Sequence, residues 1–367
     1  MDCLHANGQE MEMTKVLHYL DHLDLGGTTK TCQLFFEHST VDSAVAYKYN
    51  GDHTRIEEFR KAAKACKGAL IPVGSTVSLQ EVIDQNGVEI LHVYRSGFKQ
   101  YPEPGIDVHV PHFVETNVFG FIDPNPKINR SLFMSEWLMN YSMATFTPYT
   151  LPRQRFDFVN NPVDDPASQA RMNLDLPEDA IVLGRCGRPD NGIYNSVNVK
   201  AAHMLLMQGY PIHFLVVAPP TNMLDDLAKY GIPFHAISPT TDPAVLSQFY
   251  NSIDIYAHAR ADGESFGVNI AEAMMHAKPV VTHWATPSFP GMGVFQAQTT
   301  LVDNGKTGFV VENDVAEYAE ALKKLIDDKT LRVNMGVAGT FKAHEEYHVK
   351  ACVSKLENIY KEIVCKN

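Results

Sequence analysis

Alternation narrows the fold of this chain more than any other feature. Short runs rich in Val, Ile, Leu and Tyr alternate with helix-length amphipathic patterns almost from end to end. VLHYL (16–20), AVAYKY (44–49), EILHVYR (89–95) and DVHVPHFVET (107–116) read as strands, and ALIPVG (69–74) as a further short one. Between them TCQLFFEHS, RIEEFRKAAKACKG and SLQEVIDQNG read as helices, the last ended by Gly87. Strands separated by helices of this length cannot pair as hairpins. They demand crossover connections and a parallel sheet, so the fold class is α/β.

The pattern breaks once. LPRQRFDFVNNPVDDPAS (151–168) is dense in Pro, Asn and Asp and reads as a linker. A second α/β series follows, with strands in AIVLGRCGR, IHFLVVAPP, IPFHAIS, IDIYAHA and PVVTHW and helices between them. The 367 residues suit about two domains. The expected organisation is a Rossmann-like domain over 1–163, a second over 164–345, and a terminal helix over 346–367 that packs back toward the first. Ligands of such sheets bind beyond the carboxyl ends of the strands.

Composition excludes several roles. A net charge of −12 argues against a nucleic-acid partner held by phosphate contacts. Six scattered cysteines without a CxxC pair form neither a zinc site nor a disulfide framework, and they suit a reducing compartment. MDCLHANGQEMEMTK lacks a basic stretch followed by an apolar one, and no apolar run nears the ~20 residues of a membrane span. The cytoplasm is the expected location. One helix, Arg60 to Lys67 with its neighbours, is basic and amphipathic, but its apolar face is small. An ordinary surface helix is the expectation there, with peripheral membrane contact as the alternative.

The densest chemistry lies in ADGESFGVNIAEAM (261–274). Glu264 follows the strand IDIYAHA, Ser265 reads as a helix N-cap, and Gly267, Val268 and Asn269 fill the first turn. Backbone N–H groups there have no intrahelical partner, which makes an anion site. Glu272 follows among apolar neighbours, where an ionised carboxylate needs donors. A ribose diol would supply two. On spacing alone the plainer reading comes first: an acid at a helix N-terminus plus a partly exposed glutamate.

The stretch resembles the E-x7-E motif of retaining glycosyltransferases of the GT-B fold, in particular the family-4 group. FGVNIAEAM and the KPVV after it match that group closely. LGG (25–27), NNPVD (160–164) and LGR (183–185) fall in the family's order. The resemblance implies two Rossmann-like domains facing across a cleft. It implies that Glu264 contacts the donor sugar, with Ser265 and Phe266 beside it, and that Glu272 holds the ribose. It implies that Gly26 and Gly27 offer amides to the diphosphate, and that Arg185 meets the charge of the departing group. His112 matches the family's histidine near the reacting carbon. Its neighbour His109 falls on the opposite face of a strand.

One position departs. The family pattern places a lysine where this chain has Asn191, so Arg188 or Lys200 must supply that charge if anything does. HWATPSFPGMG (283–293) stands where the family has a Gly-rich loop, and it differs. His18 and His22 lack partners at metal-ligand spacing, and no D-x-D follows a strand, so neither metal nor other cofactor is expected. The resulting expectation is a metal-independent hexosyltransferase-like enzyme. It takes a UDP-, GDP- or other nucleotide-sugar donor and a glycan, lipid-linked or small-molecule acceptor. The alternatives are a sugar-nucleotide epimerase or hydrolase of the same fold, and a non-catalytic sugar-nucleotide binder.

Overall fold

A computed structural model describes residues 15–24, 26–49, 55–74, 76–95, 106–120, 122–146, 151–286 and 294–365. The chain divides into two compact units, Met1–Pro162 with Val349–Asn367, and Val163–His348.

In the first unit the elements run β1 (Lys15–His22), α1 (Gly27–His38), β2 (Asp42–Tyr49), α2 (Ile56–Cys66), β3 (Ala69–Pro72), α3 (Leu79–Asn86), β4 (Ile90–Arg95), β5 (His112–Asn117), β6 (Ile128–Phe133), α4 (Glu136–Phe146) and β7 (Phe156–Phe158). The strands form one sheet in the order β3-β2-β1-β4-β5-β6-β7. Every pairing in it is parallel. The strand expected over 107–116 begins only at His112, since 106–110 stay outside the ladder. The expected linker is partly sheet: Ser131, Leu132 and Phe133 pair with Phe156, Asp157 and Phe158. Phe-Asp-Phe alternates as an edge strand requires, and Phe156 turns inward.

The central strands are apolar on both faces because helices cover both, as parallel sheets require. Val16, Val45, Ile90 and Val114 meet Phe36 and Phe59 on one side. Leu17, Ala46 and Leu91 meet Val82 and Ile83 on the other. The apolar face of α2 is spent here: Phe59 is fully buried, and Ile56, Ala63 and Cys66 pack beside it. Its basic residues remain outside, where Arg60 pairs with Glu57. The last helix, Val349–Cys365, returns to this unit as expected. Cys352, Val353, Leu356, Ile359, Tyr360 and Ile363 enter the same core. Each such apolar side chain adds roughly 1.5–3 kcal/mol by leaving water. Glu357 fixes the helix register by accepting from the Thr40 N–H and Oγ1, both at 2.6 Å.

The second unit runs β8 (Ile181–Cys186), α5 (Val197–Leu206), β9 (Ile212–Val217), α6 (Thr221–Lys229), β10 (Phe234–Ile237), α7 (Pro243–Ser252), β11 (Ile255–Ala257), α8 (Val268–Met275), β12 (Val280–His283), α9 (Gln298–Leu301), β13 (Gly308–Val311), α10 (Val315–Asp327) and α11 (Lys329–Glu346), and the returning helix is α12. Its sheet has the order β10-β9-β8-β11-β12-β13, parallel throughout. The order reverses between β8 and β11, and there the carboxyl ends of two adjacent strands open a place for a ligand. Among the described residues no helix is long and apolar enough to cross a membrane.

Candidate functional site

The carboxyl ends of β8 and β11 carry the site. Gly184 in β8 allows the strand to lie against Ile253, since a Cβ there would come within 2.4 Å of that side chain. The next inward residue is Arg185, only 4% exposed. Gly187 leaves room beside its guanidinium, which a Cβ would meet at 3.3 Å. From β11 the chain continues through His258 and Arg260 into the loop that holds Glu264. That loop is pinned from outside. The Glu264 N–H donates to Gln298 Oε1 at 2.9 Å, and its carbonyl accepts from the Ala297 N–H at 3.0 Å. Gly263, at φ 69°, lies so close to the Phe295 carbonyl that a Cβ would approach to 1.8 Å.

These groups surround a small recess lined by Arg185, Cys186, His258, Arg260, Glu264 and Asn269, among others. Glu264 stands between two basic groups, with Oε1 3.3 Å from His258 Nε2 and Oε2 3.5 Å from Arg260 Nη1. Burial works against its charge, but Arg260, His258 and Arg185 outweigh it and hold the carboxyl below its usual range. Arg260 is itself gripped by Asp262 through Nε at 2.6 Å and Nη2 at 2.9 Å. Burial disfavours its charge too, yet Glu264 and Asp262 raise its pKa further. His258 is oriented by Thr282, whose Oγ1 lies 2.8 Å from Nδ1.

Arg185 differs. Burial lowers its pKa, and Nη1 is buried with no hydrogen-bond partner among the described residues. A buried guanidinium left short of acceptors costs several kcal/mol. An anion entering the recess would remove that cost. Asn269 adds a second unsatisfied atom: its Nδ2 donates to the Cys186 carbonyl at 2.8 Å, while Oδ1 is buried without a partner. The backbone N–H groups of Val268 and Asn269 open α8 and lack intrahelical acceptors.

Of the residues read from sequence, Arg185, Glu264 and Asn269 therefore line one recess, and Gly267 and Val268 open the helix at its edge. Ser265 does not cap that helix. Gly267 does, in the left-handed region at φ 107°, and without a side-chain bond. Phe266 turns inward, 1% exposed, with its ring edge-on to Tyr347 at 5.4 Å. It anchors the loop rather than facing the recess. Glu272 lies one turn beyond Asn269 and half-buried, and its Oε2 accepts from the Tyr250 hydroxyl at 2.9 Å.

Other expectations fare differently. Arg188 and Lys200 are exposed, and neither lines the recess. Asn191 is occupied, because its Oδ1 accepts from the Asn222 N–H at 3.0 Å and so caps the start of α6. His112 opens β5 at the amino-terminal edge of its sheet, paired with Ile90, the first residue of β4. The carboxyl edge, where ligands bind, belongs to Asn117. Burial lowers the pKa of His112. Gly26 and Gly27 open α1, and Gly26 is extended at φ 179°, a conformation open to any residue. Nothing crowds a Cβ at either glycine, so only a ligand could require them. Within NNPVD, Asn161 accepts from Thr31 Oγ1 at 3.0 Å and ties that segment to α1. Leu25 and residues 287–293 of the loop after β12 lie outside the described residues.

Sequence reading missed His258, Arg260 and Asp262. The signal was present: HARADGE places alternating charged side chains immediately after an apolar strand, at the edge where α/β sheets bind ligands.

Comparison with known proteins follows the same geography. Residues 179–328 match the family described as Glycosyl transferases group 1. The capsular polysaccharide biosynthesis glycosyltransferase CapM of Staphylococcus aureus is 26% identical over 216 residues, 56% of this chain and 51% of that protein. A D-inositol 3-phosphate glycosyltransferase of Corynebacterium aurimucosum is 33% identical over 119 residues, 32% of this chain and 25% of that protein. The chain thus spans about half, or less, of the length of these relatives. Among solved structures, a glycosyltransferase from Rickettsia africae superposes with a TM-score of 0.70 at 14% identity, covering 96% of this chain and 99% of that one. Anabaena Alr3699/HepE in complex with UDP and glucose gives 0.67 at 13% identity, covering 96% and 100%. At such identities the likeness is one of fold.

Proposed function

We propose that this chain, whose residues 179–328 match the group 1 glycosyl transferases and which shares the GT-B fold, transfers a sugar from a nucleoside-diphosphate donor to an acceptor hydroxyl with retention at the anomeric carbon. The observation that carries this reading is Arg185: a buried guanidinium with an unsatisfied Nη1, beside the free amides of a helix N-terminus. Both are built for an anion with several oxygens. In the proposed reaction the bond between the anomeric carbon and the diphosphate oxygen breaks while the acceptor oxygen attacks from the same face. The acceptor proton passes to a phosphate oxygen. Charge grows on the departing diphosphate, and Arg185 with the Val268 and Asn269 amides meets it there.

Glu264 is then the acceptor for donor-sugar hydroxyls, kept ionised by Arg260 and His258. Glu272 takes the ribose diol, with Tyr250 orienting one of its oxygens. The first unit is assigned the acceptor, and the Gly26–Gly27 turn keeps the diphosphate contact that the resemblance implies. The fold neighbour Alr3699/HepE is in complex with UDP and glucose in one structure and with UDP-glucose in another, which makes a UDP-sugar the first donor to try. No role is assigned to the His112 imidazole, given its place at the amino-terminal edge of β5.

The position of Asn191 favours a second reading. With its carboxamide bonded to α6 and Arg188 outside the recess, no second unpaired cation lines the recess among the described residues. A protein that binds sugar nucleotides without turning them over fits that arrangement. One experiment separates the readings. UDP-, GDP- and ADP-sugars are presented to the protein and followed by ligand-observed NMR for binding and for loss of the donor signal in the presence of an acceptor panel. Transfer supports the first reading, and binding without turnover supports the second. If none of the donors binds, or if Arg185→Ala binds them unchanged, both fail.

A further inference from the structure

The chain passes between its two units twice, at Pro162–Val163 and at His348–Val349. These crossings touch. Val163 and His348 form a parallel bridge, and the Val163 N–H donates to the Tyr347 carbonyl at 2.9 Å. Two residues further on, Asp165 Oδ2 lies 3.5 Å from His348 Nε2. His344, in the last turn of α11, brings its ring to 5.4 Å from the other imidazole at an interplanar angle of 30°. The helix α11 ends here, and the N–H groups of Tyr347 and His348 both close it by donating to the Ala343 carbonyl. One donor atom each from Asp165, His344 and His348 lies within 4.8 Å of the others.

We propose that Asp165, His344 and His348 form a binding site for a zinc-like divalent cation, separate from the recess at Arg185. Two imidazole nitrogens and one carboxylate oxygen are a donor set that suits Zn²⁺ and its Irving–Williams neighbours rather than Mg²⁺ or Ca²⁺, which take oxygen. A tetrahedral ion with bonds near 2.1 Å spaces its donors at about 3.4 Å. The farthest pair here has to close by no more than about 1.4 Å, within the reach of side-chain rotation. The backbones need not move. The ring contact already holds His344 and His348 together across the end of α11, and the bridge to Val163 holds the third ligand beside them. Asp165 is 67% exposed, so an ion can enter and a water can complete its shell.

A cation held there clips the segment that enters the second unit to the helix end that leaves it. The same helix end carries Tyr347, whose ring buttresses Phe266 in the loop of Glu264. None of the three ligands lines the recess, so the site stands or falls apart from the proposed transfer reaction.

The test uses the full chain, free of any affinity tag, stripped with EDTA and exchanged into metal-free buffer. Zn²⁺ and Co²⁺ are titrated calorimetrically, and Co²⁺ is also followed by its visible absorption. The expected result is one ion per chain, bound at least tenfold more weakly by His344→Ala and by Asp165→Asn. Zn²⁺ should raise the thermal midpoint of the wild type and leave that of His344→Ala unchanged. Both altered side chains are exposed, and circular dichroism confirms that the variants fold. Absence of a saturable single-ion isotherm overturns the proposal. So does tight binding that survives in both variants, since it would belong to other histidines among the sixteen.

Discussion

Arg260 Nη1 lies 3.5 Å from Glu264 Oε2, while the other edge of the same guanidinium is locked bidentately on Asp262. The lock makes Arg260 a fixed charge. Burial alone would push the Glu264 carboxyl up, and Arg260 is the foremost group holding it down. Arg260→Gln should therefore raise the Glu264 pKa and move the acid limb of the turnover–pH profile to higher pH. The plateau above neutrality should change less than the limb. A profile that drops uniformly without shifting would show that Arg260 acts on the donor directly and not through Glu264.

Arg185 links stability to binding in the opposite direction. Its guanidinium is buried with an orphan nitrogen and no ion pair among the described residues. Arg185→Met keeps most of the packing volume and removes the uncompensated charge. The ligand-free variant should be as stable as the wild type, or more so by roughly 1–3 kcal/mol, measured by urea unfolding. The same change should cost turnover about 10²–10³-fold, the range for losing one donor to developing charge. A variant several kcal/mol less stable would mean that Arg185 is a structural residue.

Glu272 and Tyr250 form the third test. The carboxylate accepts one hydrogen bond from Tyr250 and stands one turn below Asn269. Glu272→Gln should weaken nucleotide binding by roughly 1.5–3 kcal/mol, the worth of charged hydrogen bonds, and Tyr250→Phe by about 0.5–1.5 kcal/mol. Titration calorimetry with the free nucleoside diphosphate reads both. Equal affinity in Glu272→Gln and wild type would remove the ribose role.

Much of this architecture was legible because it follows from period and punctuation. Gly87 ends α3 as expected, in the left-handed region at φ 59°, and the alternation of runs gave both sheets. The elements that escaped are those whose polarity hides the period. INRSLF became β6 because Ser131 is buried in a network, bonding Glu115 at 2.6 Å and Arg155 at 3.0 Å. A strand with Asn, Arg and Ser in its first four residues carries no apolar signal of its own. At the site, Glu264 and Arg185 were found by resemblance and their surroundings were not. Ser265 has the chemistry of an N-cap, but the chain must turn through positive φ before α8 starts, and only Gly267 does that cheaply. Arg260 and His258 act through partners supplied by the loop and by β12, and spacing along a single chain does not encode such pairs.

The buried histidines of the first unit set a pH limit on the fold. His18 is 1% exposed, edge-on to Phe36 and tilted against His92, with Nε2 unpartnered. Burial lowers its pKa from 6.5 to about 3, and His92 is lowered likewise. His92 bridges Tyr360 of α12 at 2.5 Å and Thr116 at 2.7 Å, so protonation there strikes the contact between the terminal helix and the sheet. In the unfolded chain both rings protonate near pH 6.5, and in the folded chain they stay neutral. The unfolded state thus binds more protons below 6.5. Stability is complete above that pH and is lost as pH falls toward 3. His18 costs up to about 1.4 kcal/mol per pH unit over that window, and His92 acts in the same direction. His18→Gln removes one titrating group. Its unfolding free energy, followed by urea titration at pH 7, 6 and 5, should fall less steeply than the wild type by up to one proton's slope. Parallel curves for the two proteins would mean that His18 is already protonated, or accessible to protons, in the native state.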